Sequence, residues 1–344
     1  MASLDVFHQD PFTAIQLTAA VERNPFIPTG LGELDLFEPE PIYTTALMVE
    51  QRAGTLALVP ATPRGAPPSE RTTELRQARY FEAPRLAIGD TIKASEIQNI
   101  RAFGQETEMM QVEAEVARRL SGPTGLQRRI EYTWEYHRLA AVQGKLLDAS
   151  GVLFNWFSEF GITPPSAIAF NLAAGAGANP TAGVLRPLCN QVVRTMARAS
   201  QGAFTSLTEV YALCGDTFWD ELTNHIDVRQ TFFNWAAAAE LRKGNAFEAM
   251  KFGGINWFNY RGSDDATTIA VPSNTCIFFP RNAPGVFRVA WAPYESFDFV
   301  NTRGKPLYIQ PIMDRDRKMW WRMECYSYPL HICTRPEVLL SGAA

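Results

Sequence analysis

The chain has 344 residues, enough for two ordinary domains or one elaborated domain. With 46% hydrophobic and 20% charged residues it has the material for a real core, and its net charge of −4 argues against a protein whose main task is coating nucleic acid. Five widely spaced cysteines without a CxxC pair exclude a disulfide framework, no basic-then-apolar leader opens the chain, and no stretch approaches eighteen uninterrupted apolar residues.

Residues 1–42 carry seven acids against the single base Arg23. Pro25, Pro28, Pro39 and Pro41 forbid a long helix there, so the pattern predicts an extended arm that packs poorly on itself. Two strands, YTTALMVE and TLALVP, are expected around a turn centred on Arg52, Ala53 and Gly54. Four prolines then open residues 60–70 into a loop, and TTELRQARYFEA resumes an extended pattern. Arg64, Arg71, Arg76 and Arg79 give this region the opposite charge from the first arm, which makes them candidate contacts to an acidic segment of that kind.

From residue 95 helices are expected. SEIQNIRAFG is a short one with Ser95 as its cap. QETEMMQVEAEVARRL places Met109, Val112, Val116 and Leu120 on one face, with Glu113 and Glu115 towards solvent. After the SGPTG break, a longer helix is predicted over 126–148, striped by Tyr132, Tyr136, Leu139, Val142 and Leu146. Its His137 reads as solvated or hydrogen bonded. GVLFNWFSEFGI reads as a strand, AAGAGANPTAG as a loop, and residues 204–241 as mostly helical. Beyond Gly253 the pattern turns to strands, giving an α+β chain without alternating βαβ units.

The search for chemistry finds little. The Gly-rich loop lacks the Lys and Ser/Thr of a phosphate loop. Cys325, His331 and Cys333 fit strand residues of the core better than a zinc site, which wants four ligands. None of the four histidines stands in a nucleophile arrangement. RDRKMWWR, with Trp320 and Trp321, fits base stacking no better than ordinary strand alternation. No catalytic, cofactor-binding or metal-binding residue is assigned. The rival classes are a soluble enzyme with a dispersed site and a nucleic-acid binder using the Trp320 region.

Taken in order, DVFHQDPF, LGELDLFEPEPIYTTALMVEQRAGTLALVPATPRGAP, RRIEYTWEYHRLAAVQGKLLDASGVLFNWFSEFGI, FGGINWFNYRG and the closing run to CYSYPLHICTRPEVLL resemble the tailed-phage major capsid protein E family, the lambda-like branch. The resemblance spans nearly the whole chain. It implies an HK97-like major capsid protein fold of α+β class. Residues 1–42 would be the N-terminal arm and 43–88 the extended loop (E-loop). Residues 89–165 and 290–344 would form the peripheral domain with its spine helix, and 166–289 the axial domain. Implied with it is a non-enzymatic head protein located in the virion capsid and assembled in the host cytoplasm. Its copies would self-assemble as pentamers and hexamers into an icosahedral shell around packaged double-stranded DNA, without sequence-specific binding. A separate scaffolding protein, a portal and a decoration protein are the implied partners, with no cofactor and no membrane. Some relatives of the fold weld subunits through a loop lysine; the first lysine here is Lys93, past the loop, so non-covalent contacts are expected.

Overall fold

The computed structural model describes residues 26–53, 75–98, 112–172, 182–233 and 249–344. The chain enters through a one-turn helix α1 (Gly30–Glu33) and a strand β1 (Glu38–Pro41), followed by β2 (Ala46–Ala53) and β3 (Leu75–Glu82). Strand β4 (Leu86–Lys93) runs into the single turn α2 (Ala94–Ile97). Then come α3 (Val112–Ser121), the long helix α4 (Leu126–Val142), the strands β5 (Lys145–Asp148) and β6 (Gly151–Asn155), and the short helix α5 (Trp156–Phe160). Next are β7 (Ile168–Ala169), α6 (Leu185–Ala199), β8 (Glu209–Cys214), α7 (Asp216–Asn224) and α8 (Ile226–Phe233). The remainder is mostly strand: β9 (Ala249–Phe252), β10 (Ile255–Asn259), β11 (Thr275–Arg281), β12 (Phe287–Trp291), β13 (Tyr308–Met313), β14 (Trp320–Ser327), β15 (Pro329–Cys333) and β16 (Leu340–Ala343).

The largest sheet has the order β7-β16-β11-β8-β10-β9, so the strand nearest the C-terminus lies inside it, between β7 and β11. A three-stranded sheet β1-β12-β15 carries the N-terminal strand, parallel to β12. A second, β13-β14-β4, is antiparallel throughout. Two ribbons, β2-β3 and β5-β6, complete the architecture. One large apolar cluster joins Leu31 and Phe37 near the N-terminus to Phe81, Trp156 and Trp257, while smaller clusters sit around Met323 and around Tyr308.

Several local expectations give way to this tertiary arrangement. The arm packs on its own chain over 26–42: Leu31 is fully buried, and Phe37 meets the rings of Phe287 and His331 edge-on. Arg52 and Ala53 are strand residues of β2, because the partner of β2 is β3 rather than residues 55–60, which lie outside the described residues. The helix α2 starts two residues earlier than a Ser95 cap would set, with Lys93 at the N-cap position and no side-chain cap. Helix α4 stops at Val142, where Gly144 takes φ +77° and brings its backbone so close to the Phe157 ring that a Cβ would stand 2.2 Å away. Leu146 is therefore a buried residue of β5, not of the helix. GVLFNWFSEFGI divides into β6 and α5, with the Asn155 side chain capping the helix by accepting the Phe157 N–H at 3.2 Å. EVYALC, expected in a helical region, is the buried strand β8. It is apolar on both faces, and such a run gives no alternation to read.

Candidate assembly surfaces and the joints behind them

Residues 26–42 are fastened by a buried carboxylate. Glu135 in α4 accepts N–H bonds from Leu31 at 2.7 Å and Gly32 at 3.1 Å, the Tyr260 hydroxyl at 3.1 Å and Arg138 at 3.2 Å. The two amides are at the start of α1, where first-turn N–H groups have no partner within the helix. Burial pushes the Glu135 carboxyl up from its ordinary range, opposed by the Leu31 amide and by Arg138. One side chain thus ties the arm, the long helix and the segment after β10 together.

Behind this joint lie His137 of α4 and His331 of β15, their ring centroids 5.7 Å apart. Both are buried, and none of their four ring nitrogens has a hydrogen-bond partner among the described residues. His137 therefore departs from the expected solvated side chain. Phe37 and Trp291 stack edge-on against His331. Burial pushes the His137 imidazole down to about 4, with Asp148 opposing and Arg138 reinforcing that shift. His331 is lowered for the same reason, and next by His137 and Arg138. Both rings serve as neutral packing surface between helix and sheet.

A third joint fixes α3. Arg119 reaches Glu115 at 2.6 Å, Glu96 at 3.1 Å, Asp90 at 3.3 Å and the Thr91 carbonyl at 3.1 Å, so α3, α2 and β4 share one guanidinium. Glu115 is buried rather than solvent-facing, and its hydrogen bond from Arg118, with help from Arg119 and against burial, holds its carboxyl down at about 2.

The hairpin β2–β3 has two unlike faces. Leu47 and Phe81 turn inward, and the Phe81 ring meets Phe154, Trp156 and Phe160 edge-on. The hairpin base thus finds its core within its own chain. On the other face Met48 and Tyr80, opposite each other in the ladder, are 54% and 71% exposed. Of the four candidate contact arginines, Arg79 has its guanidinium 5.8 Å from the Phe160 ring centroid. Arg76 stands opposite Arg52 in the ladder. Arg64 and Arg71 lie outside the described residues. The structure describes no cluster of the four.

Nothing in the described residues forms a reactive centre. All five cysteines are buried and unpaired; burial pushes the Cys189 thiol up to about 12 and the Cys325 thiol to about 11, and raises Cys276 and Cys333 as well. Such thiols stay protonated. No group of three or more His, Cys, Asp or Glu side chains among the described residues is placed to hold a metal ion. RDRKMWWR divides between the turn after β13 (residues 315–319), where the Asp314 carboxylate accepts the N–H groups of Asp316, Arg317 and Met319, and the first residues of β14, which pair Trp320 and Trp321 with β4. No described helix is long and apolar enough to cross a membrane.

The family profile described as phage major capsid protein E matches residues 13–344. The chain belongs to that family. The capsid protein E chain is 24% identical to the major capsid protein of Salmonella phage Felix O1, over 97% of this chain and 96% of the relative. It is 25% identical to the major capsid protein of Pseudomonas phage KPP10, over 98% of each. Solved structures show the same fold at much lower identity. The capsid structure of cyanophage P-SCSP1u matches with TM-score 0.56 at 12% identity, covering 95% of this chain and 91% of that one. The mature capsid of bacteriophage PhiM1 matches with TM-score 0.51 at 10% identity, covering 90% and 84%.

The fold is therefore the HK97-like capsid fold, and this capsid protein E chain is a structural shell-forming subunit of a tailed phage, not an enzyme. Its copies associate into the capsid. Of the residues that hold its joints, Glu135 has no assignment from the sequence, while Glu115 and His137, expected towards solvent or hydrogen bonded, are buried. Each is a polar residue on a helix whose buried side had been assigned by apolar spacing alone. A signal existed for Glu115, since Arg118 and Arg119 follow at i+3 and i+4.

Proposed function

We propose that copies of this chain close as pentamers and hexamers into an icosahedral head shell around double-stranded DNA, assembled in the host cytoplasm with a separate scaffolding protein. A portal and a decoration protein complete the set of partners. In this reading residues 1–42 are the arm, 43–88 the E-loop, and 89–165 with 290–339 the peripheral domain built on the spine helix α4. The axial domain is 166–289, to which the terminal strand β16 is added because it pairs with β7 and β11.

The observation that carries this reading is the two-faced hairpin β2–β3. Its inner face is anchored by Phe81, while its outer face offers Met48 and Tyr80 to solvent and no third strand joins it among the described residues. A two-stranded ribbon is marginal in water and its open edges invite pairing, so a neighbouring subunit is its natural cover.

Charge reversal at Arg64, Arg71, Arg76 and Arg79, in protein co-produced with its scaffold, should abolish shells seen by electron microscopy while circular dichroism of the subunit stays the same. Shells of unaltered yield and heat resistance would sink the loop-to-arm contact.

A further inference from the structure

The sheet β13-β14-β4 ends in two complementary ways. At its Met313 end, the turn after β13 and the helices α2 and α3 enclose an apolar groove of about 660 Å³. Ile92, Ile97, Val116, Leu120, Met319 and Trp320 line it. Lys318 stands in its wall and Lys93 is opposite Trp320 in the ladder; neither makes an ion pair among the described residues. Exposed Arg315 and Arg317 add positive charge at the same turn. Of the nearby acids, Asp314 is held by its own turn and Glu96 by Arg119, leaving Asp316 exposed.

At the other end, Tyr294 and Phe299 pack on Tyr308 and hold a loop whose 3-10 turn, Phe297–Phe299, projects Phe297 wholly into solvent at 100% exposure. Asp298 beside it is exposed and has no ion pair among the described residues, while Glu295 is held by Arg85 at 3.1 Å. The six residues of β13 separate knob from groove by roughly 20 Å at about 3.4 Å per residue, so one chain cannot satisfy both.

We propose that Phe297 of one copy seats in the Met319–Trp320 groove of the next, with Asp298 against Lys318. The occupant is a second copy because one chain carries both halves, an acid-flanked aromatic knob and an apolar groove with a basic rim, at opposite ends of one sheet. Burying the bare ring removes apolar surface from water, and the rim charges set its orientation. A contact between two different patches is head-to-tail, the kind that closes into a ring when its rotation allows. This contact rests on the capsid reading and names one surface by which subunits join.

The test uses the full chain co-produced with its scaffold. Phe297→Cys combined with Met319→Cys should give, on mild oxidation of shells, a ladder of crosslinked multimers on denaturing gels, while either single change gives monomer; the native thiols are buried and do not interfere. Asp298→Lys should weaken association roughly tenfold or more, and adding Lys318→Asp should restore it. Shells that form normally without a ladder, or a charge swap that restores nothing, overturn this contact alone. Wild-type chain that stays monomeric with its scaffold overturns the capsid reading, and the contact with it.

Discussion

His137 and His331 are polar residues used as apolar packing, and the consequence is a defined sensitivity to acid. Burial lowers both imidazoles, His137 from 6.5 to about 4. A depressed histidine contributes stability that is whole above its unfolded value and is lost as pH falls through its folded value. Unfolding free energy should therefore drop by roughly 3 kcal/mol on account of His137 between about pH 6.5 and pH 4, with His331 acting in the same direction. His137→Leu should flatten that limb in urea titrations run across the range. Equal slopes in wild type and variant would refute the assignment. Glu115 acts later, because its lowered carboxyl keeps its contribution above the ordinary glutamate value of 4.5 and loses it only as pH falls towards about 2. The sequence showed these residues but not their burial, because a histidine or glutamate on a helix carries no mark of the sheet that will cover it.

At the scale of elements, the long helix was legible from its apolar stripe and the SGPTG break before it, and β3, β11 and β12 from their composition. Its end was not, because the chain from Gly144 onwards keeps an apolar pattern that helix and strand can both use. The arm was misjudged for a similar reason. Its prolines correctly announced extended backbone, but its partners are Glu135 and β12, far along the chain. Glu135→Ala would leave the amides of Leu31 and Gly32 and the Arg138 guanidinium without this acceptor. It should cost about 3 kcal/mol in urea unfolding and should speed hydrogen exchange at those two amides first. Unchanged protection at Leu31 would show that β1 alone holds the arm.

The whole molecule depends on its C-terminal strand in a way no local pattern announces. Strand β16 lies between β7 and β11, pairing four residues with β11 and two with β7. Its Gly342 lies so close to Cys276 and Phe170 that a Cβ there would stand 2.6 Å from the Cys276 sulfur. Truncation after Leu339 should uncover the β11 edge and the Phe170 ring, giving a chain that loses near-ultraviolet dichroism and precipitates at modest temperature. A truncated chain with a sharp, unshifted melting transition would contradict that role. From the sequence alone came the α+β class, the long middle helix and the capsid family, because composition, periodicity and ordered similarity are local or additive along the chain. Which strands are neighbours, where the buried Glu and His joints lie, and that the hairpin base and residues 26–42 are packed on their own subunit were decided only by tertiary structure. Those features depend on pairings such as Leu31 with Glu135, 104 residues apart, which short-range patterns do not encode.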